Sequence, residues 1–236
     1  IKVILVNIVT SLGAVLLPRT SYYVEMKMER EFCTVSGKAL EFVAVLSIPL
    51  TVSFTIMAKQ CILLLSGNAY LPSVIPMCII MPTLILIGAS NVFGVQMLVP
   101  LGKETIVLYS ECAGAVADII LNAVFIPRYG ASGAAFGTLV AEAVVLVVQA
   151  AALKNMAWEI IKKVEVWKIL PAAALSGAAM IFIKNKVNMP VFPVLVICFS
   201  VFFSIYGILL LGMKERILME LLRTAAERLK QKEREK

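Results

Sequence analysis

Two carboxyls and one amide lie in the interior of one long apolar stretch, Glu104–Tyr129, whose sequence is ETIVLYSECAGAVADIILNAVFIPRY. The spacing of Glu111, Asp118 and Asn122 places them on one face of an α-helix. A stretch of this length can cross a bilayer, where carboxylates are costly unless they point into a bundle or a water-filled cavity. This face is therefore a candidate site for a coupling H⁺ or Na⁺, or for hydrogen bonds to a polar substrate. The alternative is that these groups only join helices within the bundle.

A further carboxylate, Glu142, lies in the next apolar stretch, Ala131–Leu153. Residues 128–130 form a short turn, so the two stretches are expected to be antiparallel neighbours. Glu142 would then meet Asp118 or Asn122 across the pair, and two adjacent carboxyls would share a proton. A hydrogen bond between helices is the alternative interpretation of Glu142.

Two amides and three cations are candidates for a cavity that holds a polar or anionic substrate. Asn91 and Gln96 lie about 140° apart on an ideal α-helix, so we expect only Gln96 to face a cavity. The cations suit an anionic head group, since Arg forms bidentate phosphate contacts and Lys acts as a point charge. The alternative for each cation is a side chain that reaches to lipid head groups. These cations are Arg19, Lys59 and Lys103.

The composition predicts a polytopic α-helical membrane protein. Hydrophobic residues make up 61% of the 236, and the mean hydropathy is +0.94. The net charge of +7 arises from basic residues between and after the apolar runs, as the positive-inside rule requires, and not from a nucleic-acid-binding surface. With no His and no CxxC spacing among five Cys, we expect no metal site, no cofactor and no His-based catalysis.

Seven apolar segments predict an all-α lobe of about seven transmembrane helices, over residues 1–213. The distribution of Lys and Arg predicts a plasma-membrane protein whose charged amphipathic tail, residues 214–236, lies in the cytoplasm. A basic stretch with two Trp residues, 154–168, is expected to lie along the interface. Because the chain starts at Ile1 inside an apolar run, we also expect a missing N-terminal lobe. The predicted spans are about 1–23, 40–66, 73–101, 104–127, 131–153, 169–183 and 192–213.

Three stretches resemble the C-terminal half of Wzx-like polysaccharide-biosynthesis flippases, in the multidrug/oligosaccharidyl-lipid/polysaccharide exporter superfamily. They are LLPRTS at residues 16–21, SNVFGVQMLVPLGKE at 90–104, and GAVADIILNAVFIPRYGASGAAFGTLVAEAVV at 114–145. The resemblance implies two helical lobes around a central cavity, with alternating access. It also implies a bacterial or archaeal transporter that flips undecaprenyl-pyrophosphate-linked oligosaccharide to the external leaflet, coupled to protons or sodium. Asp118 departs from the family, where Asn is expected.

Three other functions stay open. A cation-coupled drug antiporter of the same superfamily would carry carboxylates and aromatics in its cavity and fewer cations. A lipid II or sporulation-type flippase would share the architecture and differ in substrate. A membrane-embedded polymerase or ligase is disfavoured, because the chain lacks His and its loops are too short for an ordered catalytic surface. We therefore expect a transporter and not an enzyme, whose partners are the lipid-linked oligosaccharide and membrane lipids.

Overall fold

The computed structural model describes residues 1–187 and 189–220, apart from the side chains at positions 12, 14 and 15. The regular elements of this part of the chain are all helical, which confirms the predicted all-α fold. They are α1 Lys2–Glu25, α2 Glu29–Ile56, α3 Ala58–Ser66, a 3₁₀ turn Asn68–Ser73, α4 Val74–Ile80, α5 Thr83–Asn91, a π-helical turn Val92–Leu98, α6 Glu104–Tyr129, α7 Ala131–Leu153, α8 Asn155–Lys163, α9 Val166–Lys186 and α10 Val191–Gly212.

Five of the described helices are long and apolar enough to cross a membrane, and two bent pairs raise this number to seven. The first bend, of 42°, lies inside α1 between Lys2–Ser11 and Leu16–Glu25, next to Pro18. The second, of 43°, separates Asn68–Ile80 from Thr83–Leu98 and contains Pro82. Proline removes a backbone donor and clashes with the preceding turn, which accounts for bends at these positions.

Helix α2 differs from the span predicted at residues 40–66. It begins at Glu29, within the stretch expected to be a loop, and it ends at Ile56. Glu29 and Glu31 occupy its first turn, where carboxylates interact favourably with the helix dipole. Met57 then interrupts the helix before α3 starts. The predicted bounds were wrong because a charged first turn was counted as loop and an apolar break was counted as helix.

Helix α2 lies at the centre of the bundle, packed against α1, α5, α8 and α9. The buried core around it is built mainly from large apolar side chains on several elements, among them Met57, Leu84, Met97, Ile169 and Phe202. Helix α10 covers α9 and also reaches α3. The short helix α8 buries Ala157 and Ile160 and exposes Trp158, in keeping with the interfacial position expected for this stretch.

Helices α6 and α7 form a tight hairpin joined by Gly130, which has a φ of +54°. Their bounds, Glu104–Tyr129 and Ala131–Leu153, lie close to the predicted spans. A Cβ on Gly133 would lie 2.5 Å from the Phe125 carbonyl oxygen, so only glycine permits this approach of the two backbones. Elsewhere α6 is largely exposed, so this helix offers most of its apolar surface to lipid or to a further part of the protein.

The predicted tail starts with a helical turn that folds back onto the bundle. Lys38 of α2 pairs with Glu220 at 2.6 Å. The Glu215 carboxylate accepts hydrogen bonds from the backbone N–H groups of Ile217 and Leu218, at 3.1 and 2.7 Å, and so caps this turn. The rest of the predicted amphipathic tail, residues 221–236, lies outside the described residues.

Candidate functional site

The π-helical turn at Val92–Leu98 brings Asn91 and Gln96 together. Gln96 Nε2 donates to Asn91 Oδ1 at 3.4 Å. The expectation that these two side chains lie about 140° apart holds only for an α-helix and is wrong here. A π-helical turn hydrogen-bonds each residue to the fifth one along, so residues five apart share a face. The two amides therefore act as one polar group.

This amide pair packs against a glycine of α1. A Cβ placed on Gly13 would collide with Asn91 Oδ1 and would lie 2.9 Å from Gln96 Nε2. Gln96 is 1% exposed, and its Oε1 has no hydrogen-bond partner among the described residues. The pair is thus a buried polar junction between the bent helix α1 and the π-helical turn, with one amide oxygen left to accept a further hydrogen bond.

A second buried amide lies on the other side of the π-helical turn. Gln149 of α7 donates through Nε2 to the Ser110 hydroxyl of α6 at 3.0 Å. Its side-chain amide nitrogen would lie 3.0 Å from a Cβ on Gly94, so the amide packs tightly against the π-helical turn at this glycine. Ser110, Gln149 and Gly94 were not among the candidate site residues predicted from the sequence. The signal available was weak, because single Ser, Gln and Gly residues in apolar stretches are common.

The structure places the residues of the predicted polar face of α6 in two different environments. Asn122 Nδ2 donates to Asp118 Oδ2 at 3.0 Å, and both residues are partly buried. A Cβ on Gly137 of α7 would lie 2.5 Å from Asn122 Oδ1 and 3.2 Å from Asp118 Oδ1. Asp118 and Asn122 therefore lie in the α6–α7 interface. Glu111, two helical turns before Asp118 on the same face, is exposed.

Glu142 of α7 lies near this pair, as the antiparallel hairpin requires. It is partly buried, and the charged groups that act on it are Lys2 of α1 together with Glu111 and Asp118 of α6. The hydrogen bonds formed by the described residues do not include one between Glu142 and Asp118 or Asn122. The expected neighbourhood is therefore present, without a direct hydrogen bond across the pair.

In these three polar groups, several oxygen atoms are buried and accept no hydrogen bond from the described part of the chain. They are Gln96 Oε1, Gln149 Oε1, Asp118 Oδ1 and Asn122 Oδ1. An unpaired buried acceptor costs about 1–3 kcal/mol, so its persistence favours a further ligand such as a proton, a cation or a substrate hydroxyl. Chemically, the arrangement can bind a small cation or hydrogen-bond a polar group. It contains no activated nucleophile among these residues.

The predicted cationic residues are exposed and do not converge with the amides. Arg19 on α1 donates through Nε to the Tyr23 hydroxyl at 3.0 Å, and its guanidinium lies 5.7 Å from the centre of the Tyr23 ring. Lys59 is exposed in the first turn of α3, directly after the break at Met57. Lys103 is exposed where α6 begins. These positions suit contacts with a charged head group at the membrane surface.

The bent helices, the small-residue hairpin and the buried amides belong to one all-helical bundle, in which the described residues include five to seven candidate membrane spans. No protein-family model matches the chain, and no curated protein sequence matches it. Among solved structures, the chain is similar to the lipid II flippase MurJ in its inward closed conformation. The TM-score is 0.71 and the identity is 15%, over 88% of this chain and 44% of MurJ. At this identity the likeness establishes the fold, and the chain spans less than half the length of MurJ.

Proposed function

We propose that this chain is the C-terminal lobe of a flippase that moves an undecaprenyl-pyrophosphate-linked oligosaccharide from the cytoplasmic to the external leaflet. The observation that supports this most is the extended backbone likeness to a lipid II flippase. The buried Asn91–Gln96 pair packs against Gly13 in the bent part of α1, and polar groups beside interrupted helices recur at transporter binding sites. No covalent bond changes in this process, so the protein acts as a transporter.

Within this proposal, the polar head and the lipid tail of the substrate take different routes. Three exposed cations attract the pyrophosphate: Arg19 on α1, Lys59 in the first turn of α3 and Lys103 before α6. The Asn91–Gln96 pair hydrogen-bonds to sugar hydroxyls. The polyprenyl chain stays in the bilayer along exposed apolar helix faces. A second, N-terminal lobe of the same protein closes the cavity, and the C-terminal tail lies on the cytoplasmic side of the plasma membrane.

Coupling to an ion gradient is assigned to the α6–α7 hairpin. Asp118, Asn122 and Glu142 provide oxygen atoms, some of them buried and unpaired, that can take up H⁺ or Na⁺. Glu111 is exposed on the same helix and is placed at the entrance to this route. Uptake of the cation would shift the equilibrium between the inward- and outward-facing states only if the two states bind it with different affinities.

Lipid II is the second candidate substrate, and the likeness to MurJ is the observation that favours it. Complementation separates the two. The intact gene is expressed in a strain depleted of its lipid II flippase and in a strain that lacks its polysaccharide flippase. Restored surface polysaccharide in the second strain alone supports the first proposal, and restored growth in the first strain alone supports lipid II. Export of cationic drugs without rescue of either strain would contradict both.

A further inference from the structure

Three carboxylates from distant parts of the sequence converge at one end of the bundle. Glu41 lies on α2, Glu165 immediately precedes α9, and Glu215 follows α10. One oxygen atom from each lies within 4.8 Å of the other two. Glu41 is 2% exposed and Glu215 is fully buried. This triad, which we call the carboxylate triad, is separate from the polar clusters of the π-helical turn and of the α6–α7 hairpin.

The protein partners of the triad account for only part of its oxygen atoms. Glu215 accepts the two backbone hydrogen bonds of the cap, and Glu165 Oε2 accepts from Lys168 Nζ at 2.6 Å. Glu41 Oε1, in contrast, is buried and has no hydrogen-bond partner among the described residues. The Glu41 carboxylate is close to a backbone hydrogen-bond donor at Glu165. A deeply buried oxygen without a partner, on a carboxylate that lies beside two others, still points to a missing positive group.

The charges in the triad also do not balance. Three carboxylates face one nearly buried ammonium, that of Lys168, which also donates to the backbone oxygen of Lys214 at 3.3 Å. Arg216 acts on Glu41 from an exposed position, where water weakens its effect. Burial of uncompensated negative charge is strongly unfavourable. A bound cation would remove this cost and would also occupy the free oxygen of Glu41.

We propose that the carboxylate triad binds one divalent cation of the hard, oxygen-preferring class, with Ca²⁺ favoured over Mg²⁺. The residues offer only oxygen atoms, with no sulfur or imidazole. Ca²⁺ binds oxygen at about 2.3–2.6 Å in a flexible geometry, which suits three oxygen atoms that lie within 4.8 Å of one another. Mg²⁺, at about 2.0–2.1 Å, demands a nearly ideal octahedron and retains several waters, so it is less suited to a site built mainly from protein carboxylates. Water completes the coordination in either case.

The position of the triad implies that a bound cation links three separate parts of the chain. Its ligands come from the central helix α2, from the start of α9 and from the start of the segment that follows α10. The ion therefore fastens the C-terminal segment to the bundle, together with the exposed ion pair between Lys38 and Glu220. This inference does not depend on which lipid-linked substrate the protein moves.

The test uses the intact protein in detergent, stripped with EDTA and titrated with CaCl₂ or MgCl₂ by calorimetry, with the melting temperature followed in parallel. We expect one saturable divalent site per chain and a rise in melting temperature with cation concentration, because a ligand of the folded state stabilises it. The variant E41Q should bind Ca²⁺ at least tenfold more weakly and lose this rise. In EDTA it should melt no lower than the wild type, because a buried uncompensated charge has been removed.

The matched control is E159Q, which removes the same charge from an exposed ion pair with Lys163 and should bind the cation like the wild type. E165Q is a second ligand variant at a less buried position, and it tests the site independently if E41Q does not fold. The absence of saturable divalent binding by the wild type would overturn the proposal. Wild-type affinity in E165Q and E41Q, or a response to Na⁺ or to protons alone, would also overturn it.

Discussion

Gln96 and Asn91 share one face of the bundle because the turn that contains Gln96 is π-helical, and the amide of Gln96 donates to that of Asn91 at 3.4 Å. In a regular α-helix the two side chains would point in different directions. The extra residue widens this turn, and Gly13 of α1 packs directly against the side chains of Asn91 and Gln96. π-Helical turns recur at functional sites, and this one joins a bent helix to the α6–α7 hairpin.

Substitution G13A should destabilise the protein, because the new methyl group would collide with Asn91 Oδ1 and press on Gln96 Nε2. Overpacking of this kind costs about 1–3 kcal/mol. The matched control is G207A in α10, where a Cβ meets nothing within 4 Å. This control should be neutral or stabilising by up to about 1 kcal/mol, since Ala is the better helix former.

Thermal unfolding of the purified protein in detergent, with transport measured in cells, checks this prediction. The expected order of melting temperatures is G207A at or above the wild type and G13A below it. If G13A melted with the wild type, the close packing of α1 on the amide pair would be contradicted.

The bond between Gln149 and Ser110 should couple the two residues energetically. In S110A, Gln149 Nε2 is left without its acceptor in a site that is 1% exposed, so we expect a loss of about 1 kcal/mol. The double variant S110A/Q149L removes both partners and should lose less than the sum of the single variants. A double-mutant cycle by chemical or thermal unfolding measures the coupling, which is typically about 0.6 kcal/mol for such bonds in membrane proteins. Strictly additive losses would contradict a direct interaction.

The sequence predicted well those elements whose ends are marked by local chemistry. The spans predicted at 104–127 and 131–153 are separated by the short turn at residues 128–130, and the structure has α6 and α7 meet there, at Glu104–Tyr129 and Ala131–Leu153. It predicted poorly the breaks that occur within apolar stretches, such as the one at Met57. The position of a break within an apolar stretch depends on tertiary packing in the folded bundle. Hydropathy reports only how apolar each residue is, so it does not reveal the break.

The same limit applies to the candidate sites. Asp118 and Asn122 were found because they lie one turn apart on the same helix, a relationship that spacing reveals. The Asn91–Gln96 pair was misjudged because its geometry depends on a π-helical turn. The carboxylate triad was missed, and no metal site was expected, because Glu41, Glu165 and Glu215 converge only through tertiary packing.

The variants D118N and E142Q should each lower transport at least tenfold without lowering the amount of folded protein. Asparagine keeps an oxygen that can accept from Asn122 Nδ2, so D118N preserves the packing seen at 3.0 Å and removes only the charge. The control is E104Q, at an exposed position in the first turn of α6. Substrate flipping in vesicles, at several proton and sodium gradients, is the measurement. Wild-type flipping by both variants would exclude the hairpin as the coupling site.

The break between α2 and α3 should depend on a cation from α9. Lys184 Nζ donates to the Ile56 carbonyl oxygen at 2.8 Å, at the C-terminal end of α2 where backbone carbonyls lack helical partners. A positive charge is also favoured there by the helix dipole.

We expect K184M to lower the free energy of unfolding by about 1–2 kcal/mol, because a charged hydrogen bond is lost and the carbonyl stays partly buried. The control K186M changes an exposed residue on the same helix whose ammonium lies over the Phe182 ring, 4.6 Å from its centre, and it should cost less than about 1 kcal/mol. Unfolding in detergent compares the two, and equal losses would show that Lys184 does not support the break.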